Sequence, residues 1–199
     1  MAGIEFGASD RLESMRLLVD AELESLIENE IDSGSGQVAE LCGSVLLAGG
    51  KRLRPLLILL AHEIAGGTDI EQIMPLALAS EMIHTATLVH DDISDSSTHR
   101  RGQQSINQYF GSDVALCLGD WMVAKSFELS ARNRQHSAKL VALLAKSMQD
   151  TCHGQTSDLT QRTHAPVRTW KRIAAGKTAP LLIAPIKVAA IAAALNADL

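Results

Sequence analysis

At 199 residues and 21.3 kDa the chain is of single-domain size, and its 46% hydrophobic and 21% charged residues exclude a disordered or fibrous protein. A net charge of -5, from 18 basic against 23 acidic residues, argues against a nucleic-acid binder, whose affinity needs a basic surface. The three cysteines (Cys42, Cys117 and Cys152) are widely spaced, form neither a disulfide framework nor a zinc pattern, and point to a reducing cytoplasm.

With aromatics at only 3%, the apolar mass is Leu, Ile, Val and Ala, which favours helices, and no strand-like alternation stands out. The N-terminus carries charges where a secretory signal would need an apolar core. Asp10, with Glu13 three residues on, reads as the cap of a first helix. Asp32 to Gly36 breaks it, and a second helix runs from Gln37 to Ala48 before Gly49-Gly50. Pro55 suits the first turn of a third helix, which ends at Gly66-Gly67. A fourth helix is expected from Pro75 to Asp95, then two more over Val114–Ala131 and Ser137–Gln161. A last helix begins near Val167 and is expected to break at Gly176–Pro180. Thr178 to Ala197 is the one stretch resembling a membrane span, but Pro180, Pro185 and Lys187 make a buried helix the better reading. The expected architecture is all-α, one helical domain over residues 1–199.

The chemistry concentrates in His84-Thr-Ala-Thr-Leu-Val-His-Asp-Asp-Ile-Ser-Asp95. On a helix Asp91 and Asp95 lie about 40° apart on one face, Asp92 is beside them, and His84 falls on the same stripe. Carboxylates so placed suit Mg²⁺, which takes one or two of them and fills its other positions with water and phosphate oxygens. Acids at a helix C-terminus also oppose its dipole, a cost that bound cations would offset. The plainer reading is a solvated acidic helix end, with His84 a core histidine.

Gly49-Gly-Lys-Arg-Leu-Arg-Pro55 sets three cations between a glycine stop and a helix start, a place suited to a diphosphate. Arg100-Arg101 follows the acidic cluster, Lys177-Thr178 sits beside a helix break, and Gln155 and Asp158 share one helix face. Read alone, each is also consistent with ordinary surface solvation. Together, separate acidic and basic groups in an apolar helical protein imply two phosphorylated ligands carrying hydrocarbon.

In order and spacing, GGKRLRP, LVHDDISDSSTHRRG, GDWMVAKSFEL, GQTSDL and GKTAP resemble the trans-isoprenyl diphosphate synthases, or polyprenyl synthetases, from about Leu12 onward. The resemblance implies an orthogonal helical bundle around a deep apolar cavity, normally a homodimer. It implies Mg²⁺-dependent condensation of isopentenyl diphosphate with an allylic diphosphate. Asp91 and Asp95, helped by Asp92, would hold Mg²⁺. Lys51, Arg54, His84 and Arg101 would bind isopentenyl diphosphate, and Arg100, Lys177 and Thr178 the allylic diphosphate. Gln155 and Asp158 would support the metal-bound phosphate. Ala86, Thr87, Ala79 and Ser80, small residues one to three turns before Asp91, would leave a tunnel open for a product of twenty carbons or more.

The family's second aspartate-rich motif is not among these residues, and Asp198 alone does not replace it. The expectation is therefore a domain incomplete at its C-terminus, with little activity as a 199-residue chain. A non-catalytic partner subunit of a heteromeric synthase is the alternative. A terpene cyclase would share the acidic motif but would not need GGKRLRP.

Overall fold

The computed structural model describes residues 7–161 and 167–193, and it is helical apart from one minimal hairpin. Residues 1–6 and Asn196–Leu199, including Asp198, lie outside the described residues. Among the described residues eight α-helices follow one another: α1 Ala8–Glu30, α2 Gly36–Leu46, α3 Leu53–Ile64, α4 Ile70–Ser94, α5 Ile106–Tyr109, α6 Ser112–Ala131, α7 Ser137–Gln161 and α8 Val167–Ala192. Between α4 and α5, β1 His99–Arg100 pairs antiparallel with β2 Gln103–Gln104, a strand pair that alternation over so short a stretch could not announce.

The centre of the bundle is α4. Leu76, Ala77, Met82, Ile83 and Ala86 are buried around much of its circumference, because α3, α6 and α8 all pack on it. α6 lies along one side, and α7 and α8 pair with each other across the other.

Several boundaries differ from the sequence reading. Asp10 does not cap α1. The cap is Gly7, whose carbonyl accepts from Asp10 N and Arg11 N, so Asp10 sits in the first turn. The break expected at Asp32–Gly36 is a kink between α1 and α2, where Gly34 at φ 98° and Gly36 at φ 39° leave helical geometry. α4 begins at Ile70 rather than Pro75, because Asp69 caps it by accepting from Gln72 N at 3.0 Å. α8 runs unbroken through Gly176 and Pro180, where a break was expected. Its Lys171–Ala192 portion is long and apolar enough by composition to cross a membrane, yet Leu181, Ala184, Val188 and Ala189 are buried in the bundle.

Candidate functional site

The C-terminal end of α4 presents the acidic cluster, and its three aspartates have different surroundings. Asp92 is 4% exposed and is gripped by Arg100 on the hairpin, Nε to Oδ2 and Nη2 to Oδ1, both at 2.7 Å. This pairing, with the nearby Asp91 and Asp95 charges, raises the Arg100 pKa. Asp91 is half-buried, and its Oδ1 accepts from Gln155 Nε2 at 2.9 Å and from Lys177 Nζ at 3.1 Å. Lys177 lies 3.7 Å from Asp158 Oδ2 as well, so it stands between two carboxylates. Asp95 is the exposed C-cap of α4. Arg100 and Lys177 thereby offset the charge that three acids impose on a helix C-terminus.

The approach of α7 to α8 makes this possible. A Cβ on Gly154 would stand 2.3 Å from the Gly176 carbonyl carbon and 2.4 Å from Lys177 N, so only glycine lets these helices touch. That contact sets Gln155 and Lys177 against the same aspartate. The sequence showed Gly154 beside Gln155 but carried no sign that it faces Gly176.

One cleft collects Arg54, His84, Asp91, Gln155, Lys177 and Thr178 from α3, α4, α7 and α8, walled by Leu88, Met148 and Leu181. On the other side of Leu88 a smaller cavity holds Asp92, Arg100 and Arg101 with Thr85 and Val89. His84 lies within the field of Arg54, Arg101 and Arg100; burial first, then these charges, push its pKa down to about 3. It is therefore neutral at ordinary pH. Burial likewise lowers the pKa values of Arg54 and Arg101.

The three cations of the basic segment separate. Lys51 is exposed at the turn before α3, and Arg54 faces the cleft. Arg52 is 3% exposed and turned inward: Nε donates to Asp20 Oδ1 at 2.7 Å and Nη1 to Glu81 Oε1 at 3.0 Å. Its left-handed backbone, at φ 49°, is what rotates it away from its neighbours. Arg101, at φ 52°, donates to the Gly49 carbonyl and so fastens the hairpin to the basic turn.

Below the cleft, Leu181 is shared with a deeper cavity between α4, α6, α7 and α8, lined by Leu76, Ser80, Ile83, Leu144 and Pro185. The Ser80 hydroxyl is spent on the Ala77 carbonyl at 2.7 Å, which leaves the wall apolar. Of the four small residues expected along a tunnel, Ser80 lines this cavity and Thr87 the cleft above. Ala79 and Ala86 are instead buried in the packing of α4 against its neighbours, because 100° per residue turns them away from the Asp91 stripe.

These features define an all-helical protein in which carboxylates and cations converge above an apolar cavity. The chain belongs to the polyprenyl synthetase family, whose profile matches residues 36–199. It is 36% identical over 175 residues to heptaprenyl diphosphate synthase component 2 of Geobacillus stearothermophilus, covering 87% of this chain and 54% of that protein. It is 30% identical over 183 residues to a short chain isoprenyl diphosphate synthase of Methanocaldococcus jannaschii, covering 90% and 54%. Among solved structures, a polyprenyl synthase from Caulobacter crescentus, complexed with calcium and isoprenyl diphosphate, superposes with a TM-score of 0.82 at 32% identity, over 96% of this chain and 58% of that one. The chain thus spans about half the length of the curated relatives it matches.

Proposed function

We propose that this chain supplies the first half of the active site of a trans-prenyltransferase, which joins isopentenyl diphosphate to an allylic diphosphate. The observation that carries the reading is the convergence of Arg54, Asp91 and Lys177 in one cleft, which Leu181 separates from an apolar cavity beside it.

Asp91 and Asp95 would hold a divalent cation, Mg²⁺ by preference, one helical turn apart on the same face. The fit rests on Gln155: its Nε2 is bound to Asp91, while its buried Oε1 finds no donor among the described residues, and a water on such a cation would supply one. The cation, when bound, would neutralise charge on the allylic diphosphate. Asp158 steadies Lys177 in the same group.

Lys177, with Thr178 beside it, stabilises the leaving diphosphate as the allylic C–O bond breaks and its electron pair departs. Arg100 contributes positive charge from the hairpin while holding Asp92. Leu88, Met148 and Leu181 keep water from the allylic cation. Arg54, Arg101 and Lys51 hold isopentenyl diphosphate, with neutral His84 offering a hydrogen bond. Its double bond attacks the cation, forming a carbon–carbon bond, and the proton then lost goes to the departed diphosphate. No side-chain nucleophile is needed.

A product of twenty carbons or more is read from Ser80, a small side chain on the wall of the deeper cavity where a bulky one would block a growing chain. The assembly is a homodimer acting in a reducing cytoplasm, where Cys42, Cys117 and Cys152 remain free thiols. A second reading, that the chain serves as one subunit beside a different partner, draws support from the Geobacillus relative's name as a component. On either reading a polypeptide of these 199 residues condenses little by itself, since one aspartate-rich motif shares the developing charge over too few cations.

Calorimetric titration separates the two diphosphate sites. An unreactive allylic thiolodiphosphate should bind only with Mg²⁺ and lose binding in Asp91→Ala. Isopentenyl diphosphate should bind in the presence of a chelator and weaken in Arg54→Ala. Metal-independent binding of the allylic ligand, unchanged by Asp91→Ala, would overturn the assignment.

A further inference from the structure

Pro185 sits inside α8, four residues after Leu181. In an α-helix the N–H of each residue donates to the carbonyl four residues earlier, so Pro185 leaves the Leu181 carbonyl without its helical donor. Leu181 is buried, where an unpaired carbonyl is costly. The donor comes from a different helix: Arg54 Nε, in the first turn of α3, donates to Leu181 O at 3.2 Å.

A hydrogen bond at Nε fixes the plane of the guanidinium and leaves both terminal nitrogens available. Those two nitrogens form the fork that matches a phosphate bidentately. Arg54 and Leu181 face the same cleft, so the carbonyl exposed by the proline lies where the arginine needs an anchor.

We propose that Pro185 is a positioning residue: by having no N–H to give to Leu181, it reserves that carbonyl for Arg54 and so aims the Arg54 fork at a bound diphosphate. This rests on the reading of the cleft as a diphosphate site. It assigns a role to a proline that otherwise only weakens α8. It also joins the grip on the headgroup to the wall of the deeper cavity, since Leu181 and Pro185 both line that cavity.

Replacing Pro185 with Ala returns an N–H to the helix without endangering it, because alanine is the better helix former. The returned N–H competes with Arg54 for one carbonyl. Two readouts follow. By nitrogen-15 NMR, the Arg54 Nε–H, assigned from its loss in Arg54→Lys, should exchange with water roughly threefold to tenfold faster in Pro185→Ala. By calorimetry, the dissociation constant for isopentenyl diphosphate should rise by a similar factor. In an Arg54→Ala background, Pro185→Ala should change that constant no further. Installing at position 185 the hydroxy-acid analogue of alanine, whose ester oxygen has no hydrogen, should restore both readouts. Unchanged Nε–H exchange in Pro185→Ala, or an equal loss of affinity with and without Arg54, would overturn the positioning role. If Arg54→Ala itself bound isopentenyl diphosphate as tightly as the native chain, the diphosphate reading of Arg54 would fall, while the exchange rate would still decide whether Pro185 holds it.

Discussion

Arg100 holds Asp92 through two parallel hydrogen bonds of 2.7 Å, joining the hairpin to the end of α4. Asp92 is buried and this pair binds it, whereas Asp91 faces the cleft and Asp95 lies exposed at the cap. The three acids of one short motif therefore do different work. Replacing Arg100 by Ala strands a buried carboxylate and should cost about 1–3 kcal/mol of stability. Asp95→Ala should cost much less, being exposed. Urea unfolding of the two variants checks this, and equal midpoints would contradict it.

Arg52 and Arg54 are two residues apart and should behave differently. Arg52 is locked between Asp20 and Glu81, so Arg52→Ala leaves Glu81 buried without its partner and should destabilise by about 3–5 kcal/mol. Arg54→Ala strips the donor from the Leu181 carbonyl and should cost about 1–3 kcal/mol, less than Arg52→Ala, while raising KM for isopentenyl diphosphate at least tenfold, roughly the value of a charged hydrogen bond. A thermal scan and steady-state kinetics on both variants distinguish them.

The basic segment shows what could be read from sequence and what could not. Its three cations were legible as an anion-binding turn, but the inward rotation of Arg52 depends on a left-handed φ of 49° and on acids 32 residues before and 29 residues after it. Likewise Asp91, Gln155 and Lys177 were each visible as candidates. Their meeting at one carboxylate follows from a Gly154–Gly176 crossing of helices that no local periodicity encodes. The helices themselves were largely legible, because glycine stops and apolar spacing are local. Differences fell at α1, where Gly7 rather than Asp10 is the cap, at α4, where an Asp cap outranked a proline start, and at α8, where packing carried a helix through two prolines.

His84 gives a pH dependence with a defined sign. Its pKa falls from an ordinary 6.5 to about 3, so between these values the unfolded chain binds a proton that the folded one refuses. This contribution makes stability fall as pH drops from about 6.5 toward 3, and His84→Gln should flatten that slope. A bound diphosphate offsets Arg54 and Arg101 and raises the His84 pKa. Binding near pH 5.5 should therefore take up more protons in the native chain than in His84→Gln, seen by calorimetry in two buffers of different ionisation enthalpy. An equal proton count in the two proteins would contradict a diphosphate beside His84.

Ser80 lines the deeper cavity and Ala86 does not. Ser80→Phe, in the protein as purified from its host, should shorten the product by at least one five-carbon unit. Ala86→Phe should instead lower stability by about 1–3 kcal/mol through overpacking. Product chromatography and thermal midpoints check both, and a product spectrum unchanged by Ser80→Phe would place the floor elsewhere.

Condensation itself is the most direct test. Labelled isopentenyl diphosphate is incubated with allylic diphosphate primers and Mg²⁺, using the protein as purified from its host, and the extracted products are sized. The account predicts products longer than the primer by multiples of five carbons, lost on chelation and in Asp91→Ala. Label that stays in isopentenyl diphosphate with every primer, or turnover that survives Asp91→Ala, would contradict it.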